Sequence, residues 1–365
     1  MKILDQYIIK KYLGTLGFML VLLSIIIVVI DVQSKSPRIE SNGFTVGYFL
    51  INFYPYLMLY YLITFFSILV FISVIYFTSR IANNTEIVAY ISSGASFHRF
   101  AKPYLISALI IAAAILMVNH FILPWSNIKK NKLEIYTMNT TNREKFTANA
   151  QISAQLNPQE YVFINSYNRQ TNRGSGYIYQ KFDKNKKLLH QINALEIYWD
   201  EKAKKFVISN YLEKRIGKND EEILNNGDTK TQDFKHPPEE LFPNELLGQN
   251  KTTPDLIKFI AREKEKGNSN INSYLNELHQ RTAMPVSIII LTFLALSLSS
   301  QKKRGGLGMN LALGISLAFI FVFSFEVLKI VASENNSIPP FVAMWLPNIA
   351  FGALAYYLYM KRANQ

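Results

Sequence analysis

Cysteine is absent from the 365 residues, which excludes disulfides and thiolate metal sites. Phosphate-binding and catalytic signatures are missing too. The richest glycine stretch, "RGGLGMN", has neither the spacing nor the Lys-Ser/Thr of a nucleotide-binding loop. His120, His190, His236 and His279 show no metal-ligand spacing, and no serine sits in a GxSxG elbow. No cofactor motif is present. His120, close to Pro124, reads as a satisfied interfacial histidine rather than a ligand. The most informative lack is charge: six windows of about twenty residues carry almost none. They are Leu13–Ile30, Tyr56–Thr78, Tyr104–Leu123, Met284–Ser299, Leu311–Val331 and Phe341–Met360. Segments of that length and apolarity span membranes. The first lacks a small-residue cleavage site and is read as a retained span.

The charges that are present fall where a membrane protein places them. Lys2, Lys10 and Lys11 precede the first span, and Arg80, Arg99 and Lys102 lie between the second and third. Lys302, Lys303 and Arg304 separate the fourth and fifth, and Lys361 and Arg362 follow the sixth. All these segments share one side, which the positive-inside rule makes cytoplasmic, with both termini there. The net charge of +13 is thereby explained without nucleic acid.

About 160 residues, from Pro124 to Arg281, lie on the far side. "EYVFINSY", "GYIYQKFD", "LLHQINALEIYWD" and "KKFVISNYLEKR" are aromatic and β-branched, predicting strands at sandwich-like spacing. "FDKNKKLL" and "WDEKAKKF" predict hairpin turns. Two short helices, Pro254–Lys266 ended by Gly267 and Asn270–Arg281, are expected to lead back to the membrane. The expected layout is an α+β membrane protein in three parts. Residues 1–123 hold three spans and a cytoplasmic helix near 83–100. Residues 124–281 form an extracytoplasmic β-domain, and 282–365 hold three more spans.

Several stretches carry a family resemblance: "KILDQYIIKKYLGT", "TEIVAYISSGAS", "EKGNSNINSYLNELHQRTAMPVSIIILTFLALSLS" and "RGGLGMNLALGISLAF". In this order and topology the chain resembles the F/G-type permeases of lipopolysaccharide export over nearly its whole length. "LDQYI" and "GIS" lean toward the G-type subunit. The resemblance implies a multi-pass inner-membrane protein with a periplasmic β-jellyroll. It also implies a second F/G-type permease, a dimeric cytoplasmic ABC ATPase and a single-span bitopic subunit as partners. Such a permease extracts lipopolysaccharide from the outer leaflet and passes it to a bridge toward the outer membrane. It is no enzyme itself, since ATP is hydrolysed by the partner.

The stretch "NNTEIVAYISSGASFHRFAKP", Asn83–Pro103, is then of most interest. On a helix, Ile87, Val88, Ile91 and Ala95 would share an apolar face beside Tyr90. Asn83, Asn84 or Thr85 would cap it, Glu86 would complement its dipole, and Gly94 would end it. From pattern alone this is a surface helix lying in the bilayer interface. The resemblance makes it the helix that inserts into the ATPase, with Glu86, Ile87, Tyr90, Ile91 and Gly94 as the coupling residues.

Lys35, Arg38 and Lys329 lie at the outer ends of spans. They are candidates for lipid head-group contact, with interfacial snorkelling as the alternative. Glu326 and Lys329, three apart, are expected to pair within the fifth span. Competing classes are a permease for another envelope lipid or lipoprotein, a non-transporting scaffold, and a membrane-anchored enzyme. The last would need convergent acids, bases or metal ligands outside the membrane, and the sequence offers none.

Overall fold

The computed structural model describes residues 3–137, 150–168, 171–217, 221–234, 237–241, 247–266, 271–302, 306–334 and 338–364. Lys2, His236, Gly267, Asn270, Lys303 and Arg304 of the sequence reading lie outside them. Among the described residues, six helices are long and apolar enough to cross a membrane. The first three are α1 (Ile3–Ser41), α3 (Tyr54–Asn83) and α5 (Phe97–Met117), the last running on into α6 (Leu123–Glu134). Short helices α2 (Val46–Asn52) and α4 (Glu86–Ser92) join them. After the sheet come α7 (Pro238–Leu241), α8 (Leu247–Asn250) and α9 (Thr253–Lys266). The remaining spans are α10 (Asn272–Ser299), α11 (Gly306–Glu334) and α12 (Pro340–Ala363).

These helices outrun a bilayer, α1 most of all. With 39 residues, α1 is about 58 Å long against roughly 30 Å of hydrocarbon. The third span is helical to Glu134, and α10 starts a dozen residues before the apolar run, so boundaries at 124 and 281 fall inside continuous helices. Between α5 and α6 the chain widens into a π-turn, Val118–Ile122. Pro124 explains it: its ring would clash with the carbonyl of His120, and the wider turn moves that carbonyl aside.

The bundle is centred on α10, which packs against α3, α5, α11 and α12. Its contacts are made by small and hydroxylated residues, as expected where lipid gives helices no hydrophobic reason to associate. Ser287 shares a 2.6 Å hydrogen bond with Ser67, Thr292 lies 3.1 Å from the Tyr12 hydroxyl, and Asn348 donates to the Ala283 carbonyl at 2.8 Å. Gly314 lets α11 touch α3, because a Cβ there would overlap the end of Ile75.

Six strands, β1 (Ala150–Asn157), β2 (Glu160–Asn168), β3 (Arg173–Phe182), β4 (Leu188–Asp200), β5 (Lys205–Ile216) and β6 (Glu222–Gln232), form one antiparallel sheet. Where the spacing suggested a sandwich, the strands form a single meander in chain order, each pairing with its neighbour in sequence. Both predicted hairpin turns are present. Asp183 accepts from the backbone of Asn185 and Lys187, and Asp200 from Lys202 and Ala203.

One face of the sheet is buried, led by Val162, Ile164, Tyr177, Ile192, Phe206 and Ile208. The alternation changes parity along a row through Asn165, Gly176, Leu195 and Asn210. Buried positions run Ile164 then Tyr167, Ala194 then Ile197, and Ile208 then Glu213. Gly176 and Asn210 adopt positive φ of 67° and 50° there. Pairing stays in register on both sides of the row. The sheet is thus creased across four strands rather than bulged in one.

Candidate functional site

At the end of the bundle bearing both termini, α4 links α3 to α5. Thr85 enters it with φ 63° and makes no side-chain cap, so the expected capping is not formed. Instead the Asn84 amide donates to Glu86 at 3.2 Å. The other Glu86 oxygen accepts from the Tyr7 hydroxyl of α1 at 3.1 Å. Gly94, at φ 87°, ends the helix in the left-handed conformation that glycine adopts without strain. Ser96 then caps α5, accepting from the Arg99 amide.

The apolar side chains of α4 do not share one face. Ile87 is buried in the bundle core, and Tyr90 rests half-buried against Phe100. Val88 and Ile91, 59% and 38% exposed, point away. Ile87 and Val88 are adjacent, hence 100° apart, and Ile91, about 40° from Ile87, falls between them in both angle and exposure. Beside them Tyr90, Ser93, Gly94, Ala95, Ser96 and Arg99 line a concavity of about 470 Å³. The segment is fastened on both sides. Arg99 forms a two-pronged ion pair with Asp5 of α1, at 2.7 and 2.8 Å, and His98 lies 2.8 Å from the Tyr359 hydroxyl of α12.

At the sheet end of the bundle, Lys35 pairs with Asp31 one turn earlier, at 2.8 Å, and lies over the Phe53 ring. Arg38 reaches the Thr137 carbonyl at 3.4 Å. The expected Glu326–Lys329 pair is not formed within 4 Å among the described residues. Both instead line a polar cavity of about 110 Å³ with Tyr60, Asn119, Glu277 and Arg281. Spacing put them on one helical face, but that face turns to the cavity.

Sequence reasoning missed the residue that organises this end. Arg281, 3% exposed, donates to Glu277 at 3.0 Å, to the Thr253 hydroxyl at 2.9 Å and to the Gly248 carbonyl at 2.9 Å. It joins α10 to α8 and α9, and so to the returning chain. The only signal was its i,i+4 spacing from Glu277 just before an apolar run. His120 is satisfied here by the Thr253 hydroxyl, 2.7 Å away.

The sheet carries one further charged cluster. Glu213, 3% exposed, receives hydrogen bonds from Lys230 at 2.7 Å, Arg215 at 2.8 Å and His190 at 2.7 Å. Burial pushes its carboxyl up, but those three donors outweigh burial and hold the pKa down at about 2. Burial also lowers His190, which the carboxylate only partly offsets.

Residues 6–361 match the family model described as lipopolysaccharide export system permease LptF/LptG. No individual curated protein matches the chain. The match spans all six apolar helices and the sheet inserted between the third and fourth. This chain is therefore a member of the LptF/LptG family, a multi-pass inner-membrane permease of lipopolysaccharide export that does no catalysis of its own.

Proposed function

We propose that the chain is one half of a lipid path. It draws lipopolysaccharide from the outer leaflet of the inner membrane and delivers it to its own sheet, held in the periplasm. From there the lipid passes to a bridge toward the outer membrane. Both termini and α4 lie in the cytoplasm, where a dimeric ABC ATPase grips α4 and supplies the work. A second F/G-type permease and a single-span bitopic subunit complete the assembly. Lys35, Arg38 and Lys329 stand at the outer ends of spans, where lipid phosphates would pass.

The observation that carries this reading is the division of labour on α4. Ile87 anchors the helix in the bundle while Val88 and Ile91 face outward beside an open concavity. An anchored helix presenting an apolar edge is built to enter a groove in a partner. Glu86, bonded to Tyr7, and Arg99, ion-paired with Asp5, together tie this segment to α1, so that movement of the segment reaches that span through both. The apolar flank of α1, including Val21, Ile25 and Val29, lies open.

Energetics demand such a flank. At about 0.8 kcal/mol per methylene, exposing roughly sixty acyl methylenes to water would cost on the order of 50 kcal/mol. The path must therefore stay apolar from membrane to sheet.

Val88→Asp tests the grip. The side chain is exposed, so the permease should insert and fold normally while its ATPase no longer co-purifies. Wild-type recovery of the ATPase, with ATP-driven lipid release intact, would overturn the proposal.

A further inference from the structure

A second surface on α1 is unused by the lipid path just proposed. Near the terminal end of the bundle, Tyr7, Lys10, Lys11, Gly14, Phe18 and Tyr76 help to line a groove of about 720 Å³ beside α1 and α3. The size is that of a small-molecule site. Its chemistry is graded along its length. Lys10 and Lys11 stand exposed at one end, and neither forms an ion pair among the described residues. Lys11 lies 5.7 Å from the Tyr7 ring centre. One turn further on Gly14 has nothing within 4 Å of where a Cβ would stand, which leaves the floor open. Beyond it Phe18, 66% exposed, supplies apolar surface.

We infer that this groove binds an anionic phospholipid, its phosphate on Lys10 and Lys11 and the first part of an acyl chain over Gly14 and Phe18. Charge and hydrophobicity change along the groove in the same order as along such a lipid, over two turns of helix. A free phosphate would have no use for the apolar half. A zwitterionic lipid would bring its own cationic group up against the two ammonium groups. Tyr7 belongs both to this groove and, through its hydroxyl, to Glu86 of α4. A lipid seated here therefore touches the residue that fastens α4 to α1. On the topology proposed above, the lipid comes from the cytoplasmic leaflet, and that clause alone depends on the earlier reading.

The test is native mass spectrometry of the full chain released from nanodiscs containing either phosphatidylglycerol or phosphatidylcholine. One retained phosphatidylglycerol per chain is expected, with no retained phosphatidylcholine and no displacement by millimolar inorganic phosphate. Removing each lysine, as Lys10→Gln and Lys11→Gln, should weaken retention about fivefold, the effect of one basic side chain at an anionic membrane surface. Gly14→Leu leaves the charges in place but fills the floor, and should abolish retention of the bound lipid. If the lysine variants reduce binding while Gly14→Leu does not, the attraction is diffuse interfacial charge and the inference fails. It also fails if lipopolysaccharide displaces phosphatidylglycerol one for one, since the groove then belongs to the export path. None of these measurements involves the ATPase, so they stand or fall separately from the proposed coupling.

Discussion

The first and fourth spans are both strongly apolar, yet the structure uses them oppositely. In the most apolar stretch of α1 only 6% of residues are buried, whereas in α10 the figure is 56%. α1 has the higher mean hydropathy, 2.9 against 2.0, but a bilayer is as apolar as a protein core, so apolarity alone does not decide burial. What separates them is the small and hydroxylated content of α10. Ala283, Ser287, Thr292, Ala295 and Ser299 are all fully enclosed, and several bond to neighbouring helices. α1 presents Val21, Ile25, Val29 and Ile30 to its surroundings instead. Close packing builds the frame, and the unpacked flank is left for lipid.

The largest effect should come from breaking the polar anchor of the packed helix. Arg281→Ala strands the Glu277 carboxylate and the Gly248 carbonyl, and should cost about 3–5 kcal/mol. Thermal unfolding of the purified protein would report it as loss of the bundle transition. A variant with unchanged stability would mean that α10 is not the frame.

The sheet offers the same contrast between an enclosed polar group and open apolar ones. The folded Glu213 pKa, about 2, lies below its ordinary value of 4.5. A depressed folded pKa stabilises the sheet fully above pH 4.5, and that contribution is lost as pH falls from 4.5 through 2. Its size is roughly 3 kcal/mol. Hydrogen exchange in β4 and β5 should accelerate across that window in the wild type and lose this pH dependence in Glu213→Gln.

A smaller effect sets the two spans directly side by side. Leu291→Ala in α10, where the side chain is fully buried, should cost about 2 kcal/mol through lost packing. Val29→Ala on the open flank of α1 should stay within about 0.5 kcal/mol. Equal costs would show that α1 is packed too, and would remove the lipid-facing surface from the account.

Much of this was legible in the sequence. Six uncharged windows gave six spans, and β4 was predicted with its observed ends, Leu188–Asp200. β1 and β6 were not: "AQISAQLN" alternates apolar and polar, but Ala, Gln, Ser and Asn are weak strand formers, and "EILNNGDTKTQ" has little apolar content and owes its conformation to pairing with a neighbour. The crease through Gly176 and Asn210 was invisible for a related reason. It switches the alternation in register across several strands, and a period-2 reading of one strand sees only a fault. Around α4, Glu86 and Gly94 were readable as the start and end of a helix. Which apolar side chains face out was not, since that depends on the angle at which Thr85 launches the helix. The Tyr7–Glu86 and Asp5–Arg99 bonds join residues 79 and 94 positions apart, beyond any local pattern.

The central claim is that work done on α4 reaches the lipid path, and reversing the charge at Glu86 tests it most directly. ATP-driven release of lipopolysaccharide from proteoliposomes should be measured for Glu86→Lys, with Tyr7→Phe alongside to remove only the hydrogen bond within the chain. The account predicts that Glu86→Lys is inserted but releases no lipid on ATP addition, while Tyr7→Phe keeps the greater part of its release. Release by Glu86→Lys at the wild-type rate would contradict it.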